Sequence, residues 1–139
     1  MGRADVDAFR ELRDALRRLA ALVTDDTRAL AATDIDVRPA VTKINDAVTA
    51  GSHWPQLDLR GGRLERRSAG TATAARRSLS TVATEAIDLF AGDDALRLRA
   101  CYAPGCVLYF VQNPLRRQWC STACGNRAGA ARHYRRHHT

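Results

Sequence analysis

Four cysteines crowd the last forty residues in the pattern C-x4-C-x13-C-x3-C, at Cys101, Cys106, Cys120 and Cys124. Two short-range pairs can furnish a tetrahedral shell at little cost in loop-closure entropy. The N-terminal stretch MGRADVDAF lacks the apolar core of a signal peptide. No run approaches the roughly 18 apolar residues of a membrane span. The expectation is therefore a cytoplasmic protein with no membrane partner. In a reducing compartment, clustered cysteines read as metal ligands before disulfides or free thiols. Four thiolates leave no open position for water, so the metal reads as one structural zinc ion and no enzyme is expected. His133, His137 and His138 lie beyond the quartet and are not needed to complete the shell.

The residues around the quartet supply the rest of a small module. Pro104-Gly105 sits in the tight loop of the first pair, and Val107–Phe110 is β-prone. Asn113-Pro114 marks a turn, and Gln118-Trp119 is expected to return as the partner strand. Ser121 is a natural helix N-cap, which puts Cys124 one turn into a helix. Knuckle, hairpin and ligand-bearing helix make a treble-clef-like zinc finger. Such a module gains its folding energy largely from its metal. Phe110 and Trp119 are expected to form its mini-core.

The rest of the chain reads as mainly α with a small β-hairpin. Val6, Phe9, Leu12, Leu16, Leu19 and Val23 recur at helical spacing over residues 5–24, with Asp5 as a start signal. A second helical stretch is expected over Asp26–Ala32. A third has Pro39 in its first turn, Val41, Ile44 and Val48 on one face, and Gly51 at its end. His53-Trp54-Pro55 reads as a loop with an anchoring role. Leu57 and Leu59, then Gly61-Gly62, then Leu64 suggest a hairpin. From Thr73 to Phe90 the residues Ala75, Leu79, Val82, Ala86, Leu89 and Phe90 share a helical face that Gly92 closes. Leu96–Arg99 alternates like a short strand leading into Cys101. The expected units are an N-terminal helical domain, residues 1–95, and a zinc finger, residues 96–139, with the boundary near Asp93-Asp94.

Charge separates the same two units. Residues 97–139 hold eight arginines and no Asp or Glu, while the remaining residues carry 14 of the 22 basic side chains against all 15 acidic ones. On a helix starting near Cys124, Arg127, Arg132, Arg135 and Arg136 fall within about half the circumference. A cationic half without acids suits phosphate contacts and entry into a DNA groove. A solvated basic face is the blander reading of the same pattern. Arg116 and Arg117 could add backbone contacts. Asn126 and Arg127 carry two readings: contacts to base edges, or support of the zinc thiolates.

At WCSTACGNR, residues 119–127, and at RACYAPGCVLYF, residues 99–110, the sequence closely resembles the bacterial CGNR zinc-finger family, from about Leu98 to His137. The resemblance implies that Cys101, Cys106, Cys120 and Cys124 are zinc ligands and that Gly125, Asn126 and Arg127 are signature residues. It implies an N-terminal ABATE domain that senses a ligand or stress signal, and a finger that binds DNA in a transcriptional regulator. Val111-Gln112-Asn113-Pro114 departs from the Asp and Ser many members carry there, and Gly129 stands where a basic residue is common. The strand that usually opens the N-terminal domain has no counterpart before the first helix, so residues 5–92 resemble the later part of that domain. The expected partners are double-stranded DNA, a small-molecule effector of unknown identity and a second copy in a homodimer. RNA binding and a zinc-stabilised protein-interaction module are the competing functions.

Overall fold

A computed structural model describes residues 2–138; Met1 and Thr139, the outermost residues of the two expected units, lie outside them. Three helices form the N-terminal unit: α1 (Arg3–Thr24), α2 (Val37–Ala50) and α3 (Ala74–Ala91). Asp5 sits inside α1 and reaches back, its carboxylate accepting from the Gly2 backbone N–H at 2.9 Å. At the other end Asp25 turns the chain into the left-handed region, φ 51°. The core is where the three apolar faces meet, with Leu12 and Ala15 from α1, Ala40 and Ile44 from α2, and Leu79 and Ala83 from α3.

Gly51 permits the tight approach of α2 to α3. A Cβ there would lie 2.0 Å from the Arg76 carbonyl oxygen. Nearby, Ser80 Oγ donates to the Val48 carbonyl at 2.9 Å and so occupies an orphan acceptor at the end of α2. Thr73 caps α3 by accepting from Arg76 N.

The helix expected over Asp26–Ala32 reduces to a single 3-10 turn, Ala29–Ala31. Asp26 Oδ1 accepts from both Arg28 N and Arg28 Nε. This local side-chain bonding competes with the helical ladder and wins. Strands β1 (Trp54–Arg60) and β2 (Arg63–Ala69) pair antiparallel around Gly61-Gly62. Both glycines have positive φ, 56° and 76°, as a two-residue hairpin of this hand requires. The expected loop at Trp54-Pro55 is instead the start of β1, where Trp54 is 56% exposed. The hairpin stands away from the helices, and Leu57, Leu59 and Leu64 share one exposed face.

After α3, residues Asp93–Arg97 form a second 3-10 turn that takes Leu96 and Arg97 out of the expected strand. What remains is β3 (Leu98–Ala100), paired antiparallel with β4 (Tyr109–Val111). The expected partner of β4, Gln118-Trp119, is not a strand. A turn with a cis Asn113-Pro114 bond follows β4, closed by Arg117 N donating to Pro114 O at 2.9 Å and Gln112 Nε2 to Arg117 O at 2.9 Å. β4 pairs instead with Leu98–Ala100, and the Trp119 carbonyl is taken by Arg117 Nε at 3.0 Å. The first cysteine pair therefore lies in the loop joining β3 to β4. The last helix, α4 (Thr122–His137), is capped as expected, with Ser121 Oγ accepting from Cys124 N at 3.2 Å. The chain is mainly α, with small antiparallel hairpins and a C-terminal cysteine cluster.

Candidate metal centre and its surroundings

The loop between β3 and β4 contributes Cys101 and Cys106. The approach to α4 contributes Cys120, and its first turn contributes Cys124. All four sulfurs lie within 4.8 Å of one another. Cys106 and Cys120 are separated by 3.7 Å and Cys120 and Cys124 by 3.4 Å. Zn–S bonds of about 2.3 Å at the tetrahedral angle place sulfurs about 3.8 Å apart. The donor set and its spacing thus fit one zinc ion.

Several groups stand ready for negative sulfur. Leu108 N donates to Cys106 Sγ at 3.4 Å, Cys120 N to Cys101 Sγ at 3.5 Å, and Arg127 Nη2 to Cys124 Sγ at 2.9 Å. Ser121 and Arg127 pull the Cys124 thiol down from its ordinary pKa, while burial and the neighbouring sulfurs push Cys120 up. Four packed thiols cannot all ionise on their own. A divalent cation at their centre is what would hold all four as thiolates.

The module's small core is built on the same residues. Cys101, Ala103, Cys106, Phe110 and Cys124 are buried together, with Trp119 packed against them. This is the expected role of Phe110 and Trp119. A Cβ on Gly125 would lie 3.0 Å from Trp119 Cδ1, so glycine at that signature position lets the indole lie against the first turn of α4. Trp119 in turn depends on Arg117, whose Nε donates to the Trp119 carbonyl at 3.0 Å, whose Nη2 donates to the Cys120 carbonyl, and whose guanidinium lies over the Phe110 ring.

The arginines named from the sequence therefore fall into two groups. Arg117 and Arg127 hold carbonyls and a sulfur of the metal centre. Arg116, Arg132, Arg135 and Arg136 form the other group; all six arginines are exposed, as is every residue from Arg132 to His138. Asn126 is exposed as well and makes no hydrogen bond to a sulfur among the described residues. Of the two readings of Arg127, support of the thiolate is the one its geometry displays.

A further set of residues was not singled out from the sequence. Arg28, in the turn after α1, donates through Nη1 to the carbonyls of Cys101 and, at 2.9 Å, Cys106. Its Nη2 pairs with Asp26 Oδ2 at 2.8 Å, and the side chains are 14% and 0% exposed respectively. Tyr109 OH donates to the same Asp26 oxygen at 2.7 Å, and the Tyr102 and Tyr109 rings flank the guanidinium. The Arg28 hydrogen bond, with help from Tyr109, holds the Asp26 carboxyl at about 2. Burial and the carboxylate beside it push the Tyr109 hydroxyl up to about 12. The loop that carries two metal ligands is thus fastened to the helical unit through a buried ion pair. The sequence signal was faint: Asp and Arg two apart are ordinary turn residues, and their partners lie more than seventy positions away.

Among the described residues no helix is long and apolar enough to cross a membrane. Comparison with curated proteins returns no match. The family model of the CGNR zinc finger matches residues 97–137, which span the whole cysteine cluster and α4. The ABATE model, described as "Putative stress-induced transcription regulator", matches residues 1–93, well over half of the chain. The chain belongs to the ABATE family and carries a CGNR zinc finger, with a four-cysteine site for one zinc ion, at its C-terminal end.

Proposed function

We propose that the protein is a transcription regulator that binds double-stranded DNA through α4. The observation that carries this reading is the state of the helix beyond the metal. From Arg132 onward α4 is exposed on every side, and Arg132, Arg135 and Arg136 project from it. Its first turn is tied to the zinc through Cys124. The helix is about 24 Å long at 1.5 Å per residue, and the major groove admits a helix of this kind. A cationic rod fixed at one end, in a segment with no carboxylate, is suited to tracking phosphates and reaching base edges.

Within this proposal Arg132, Arg135 and Arg136 are the main contacts. Asn126 and Arg116 face solvent and can extend the footprint, while Arg127 and Arg117 act chiefly by holding the metal centre in shape. No reaction forms part of the proposal, because a closed shell of four thiolates gives zinc no position for water or substrate. Regulation would enter through the helical unit, either by an effector or by self-association through the exposed leucine face of the β1–β2 hairpin.

Selection of bound sequences from random double-stranded DNA, with a matched RNA pool as competitor, tests the reading. Enrichment of a duplex motif by the zinc-loaded protein supports it. Enrichment from the RNA pool alone would transfer the function to RNA, where structured or single-stranded elements are the usual targets.

A further inference from the structure

α1, α3 and the finger do not close on one another completely. Between them runs an apolar groove of about 510 Å³, within the roughly 300–1,000 Å³ of small-molecule sites. Leu12 and Leu16 of α1, Val82 and Phe90 of α3, and Leu108 and Tyr109 of the finger are among its walls. The apolar stripe of α3 explains why it exists. The three-helix core takes Leu79 and Ala83, while Val82, Leu89 and Phe90 turn toward the groove, with Val82 still 42% exposed.

The charged residues of the lining are all cationic. Arg13 and Arg17 stand at its edge, one turn apart on α1, and no Asp or Glu faces the groove. Arg13 is paired with Asp14 at 2.8 Å. Arg17 is half-buried, and its guanidinium has no hydrogen bond or ion pair among the described residues. It stands on the ridge between the groove and a second cleft holding Glu11, Asp14, Asp34 and Asp36, yet none of these reaches it at ion-pair distance, Glu11 being paired with Lys43 and Asp14 with Arg13. A half-buried guanidinium without a partner, beside an apolar trough, is complementary to an anion that carries a hydrocarbon body.

We propose that this groove binds a small amphiphilic carboxylate, with its chain between α1, α3 and β4 and its carboxylate on Arg17. Such an occupant touches the helical unit and the finger together, so its binding free energy is shared with their docking. That regulatory consequence rests on the DNA-binding reading. Occupancy of the groove does not, and it is measured without DNA.

The test is titration calorimetry on the zinc-loaded full chain, with hexanoate, octanoate and decanoate below their micelle concentrations and octanol as the uncharged match. Affinity should rise with chain length by up to about fourfold per methylene. Octanoate should bind at least about tenfold more tightly than octanol, as a charge-assisted hydrogen bond implies. Arg17→Gln should remove that preference and leave octanol affinity unchanged. Val82→Glu, on an exposed wall position, should abolish binding of both, with helical content and zinc stoichiometry retained as the check on folding. The proposal is overturned by no heat at millimolar decanoate, by equal affinity for octanoate and octanol, or by binding that survives Val82→Glu. It is also overturned by a chain that is dimeric and becomes monomeric on Val82→Glu, because a second copy would then cover the groove.

Discussion

The link between the metal-bearing loop and the helical unit invites a quantitative perturbation, Arg28→Ala. The substitution removes two hydrogen bonds to the carbonyls of Cys101 and Cys106 and strips Asp26 of its counter-ion. Asp26, whose side chain is fully covered with Arg28 in place, keeps Tyr109 as its remaining side-chain donor. Truncating one partner of a buried pair costs about 3–5 kcal/mol, because the other charge is left uncompensated. Asp26 offers a second measure of the same interaction. Its carboxyl titrates at about 2 instead of the usual 3.8, which corresponds to about 2.5 kcal/mol of stabilisation of the folded state. A depressed carboxyl contributes fully above its unfolded pKa, and that contribution is lost as the pH falls through the folded value. The loss for wild type thus lies between about pH 4 and pH 2. At pH 7 the whole effect is present.

We expect Arg28→Ala to cost about 3 kcal/mol, a fall in Tm of roughly 10 °C for a chain of this size. Zinc transfer to a chelator should become at least about tenfold faster. Asp26→Ala combined with Arg28→Ala should recover part of the loss, since no orphan charge remains. Thermal unfolding by circular dichroism and a colorimetric zinc-release assay read both effects. An Arg28→Ala protein with Tm within about 2 °C of wild type and unchanged zinc release would refute the reasoning.

Three further substitutions probe separate contacts. Tyr109→Phe removes one donor from Asp26 and should cost about 1–2 kcal/mol in chemical denaturation at neutral pH; because it lets the folded-state carboxyl rise toward its unfolded value, the acid loss of stability should be smaller and finish at higher pH than in wild type. Gly51→Ala puts a methyl group 2.0 Å from the Arg76 carbonyl oxygen. It should destabilise the helical unit by about 2 kcal/mol or more while zinc stoichiometry stays at one per chain. Gly125→Ala crowds Trp119 Cδ1 at 3.0 Å; a shift of the indole emission, with zinc still bound, is the expected result.

The metal centre was legible because its information is local: two cysteine pairs and a Ser121 cap are read within a few residues of each other. The helices were legible for the same reason, through apolar spacing and their end signals. What the sequence concealed depends on distant partners. Val107–Phe110 was recognisably β-prone, but which strand it joins is decided by hydrogen bonds of the Arg117 turn and by Leu98–Ala100 coming alongside. Asp26–Ala32 has helical composition, and an ion pair buried under the finger overrides it. The α3 stripe was legible as one apolar face, but its spacing does not separate Leu79, which enters the core, from Val82, Leu89 and Phe90, which form the wall of a groove. Periodicity reports that a face is apolar and is silent on what meets it. Arg127 shows the same limit at the site, since its charge suggested DNA and its position places it on a sulfur.

DNA binding by α4 is tested most directly by the salt dependence of duplex affinity for the zinc-loaded protein and its Arg132→Ala/Arg136→Ala variant. Log affinity against log salt should fall with a slope of about −0.9 per phosphate neutralised. If both arginines contact phosphates, the variant's slope should be shallower by about two units, with affinity weakened alike for all sequences. If either reads a base, the loss should instead be on the order of 1–3 kcal/mol and concentrated at one position of the selected site. Binding that ignores salt, or a variant with wild-type affinity and slope, would contradict the assignment of α4 as the DNA-binding element.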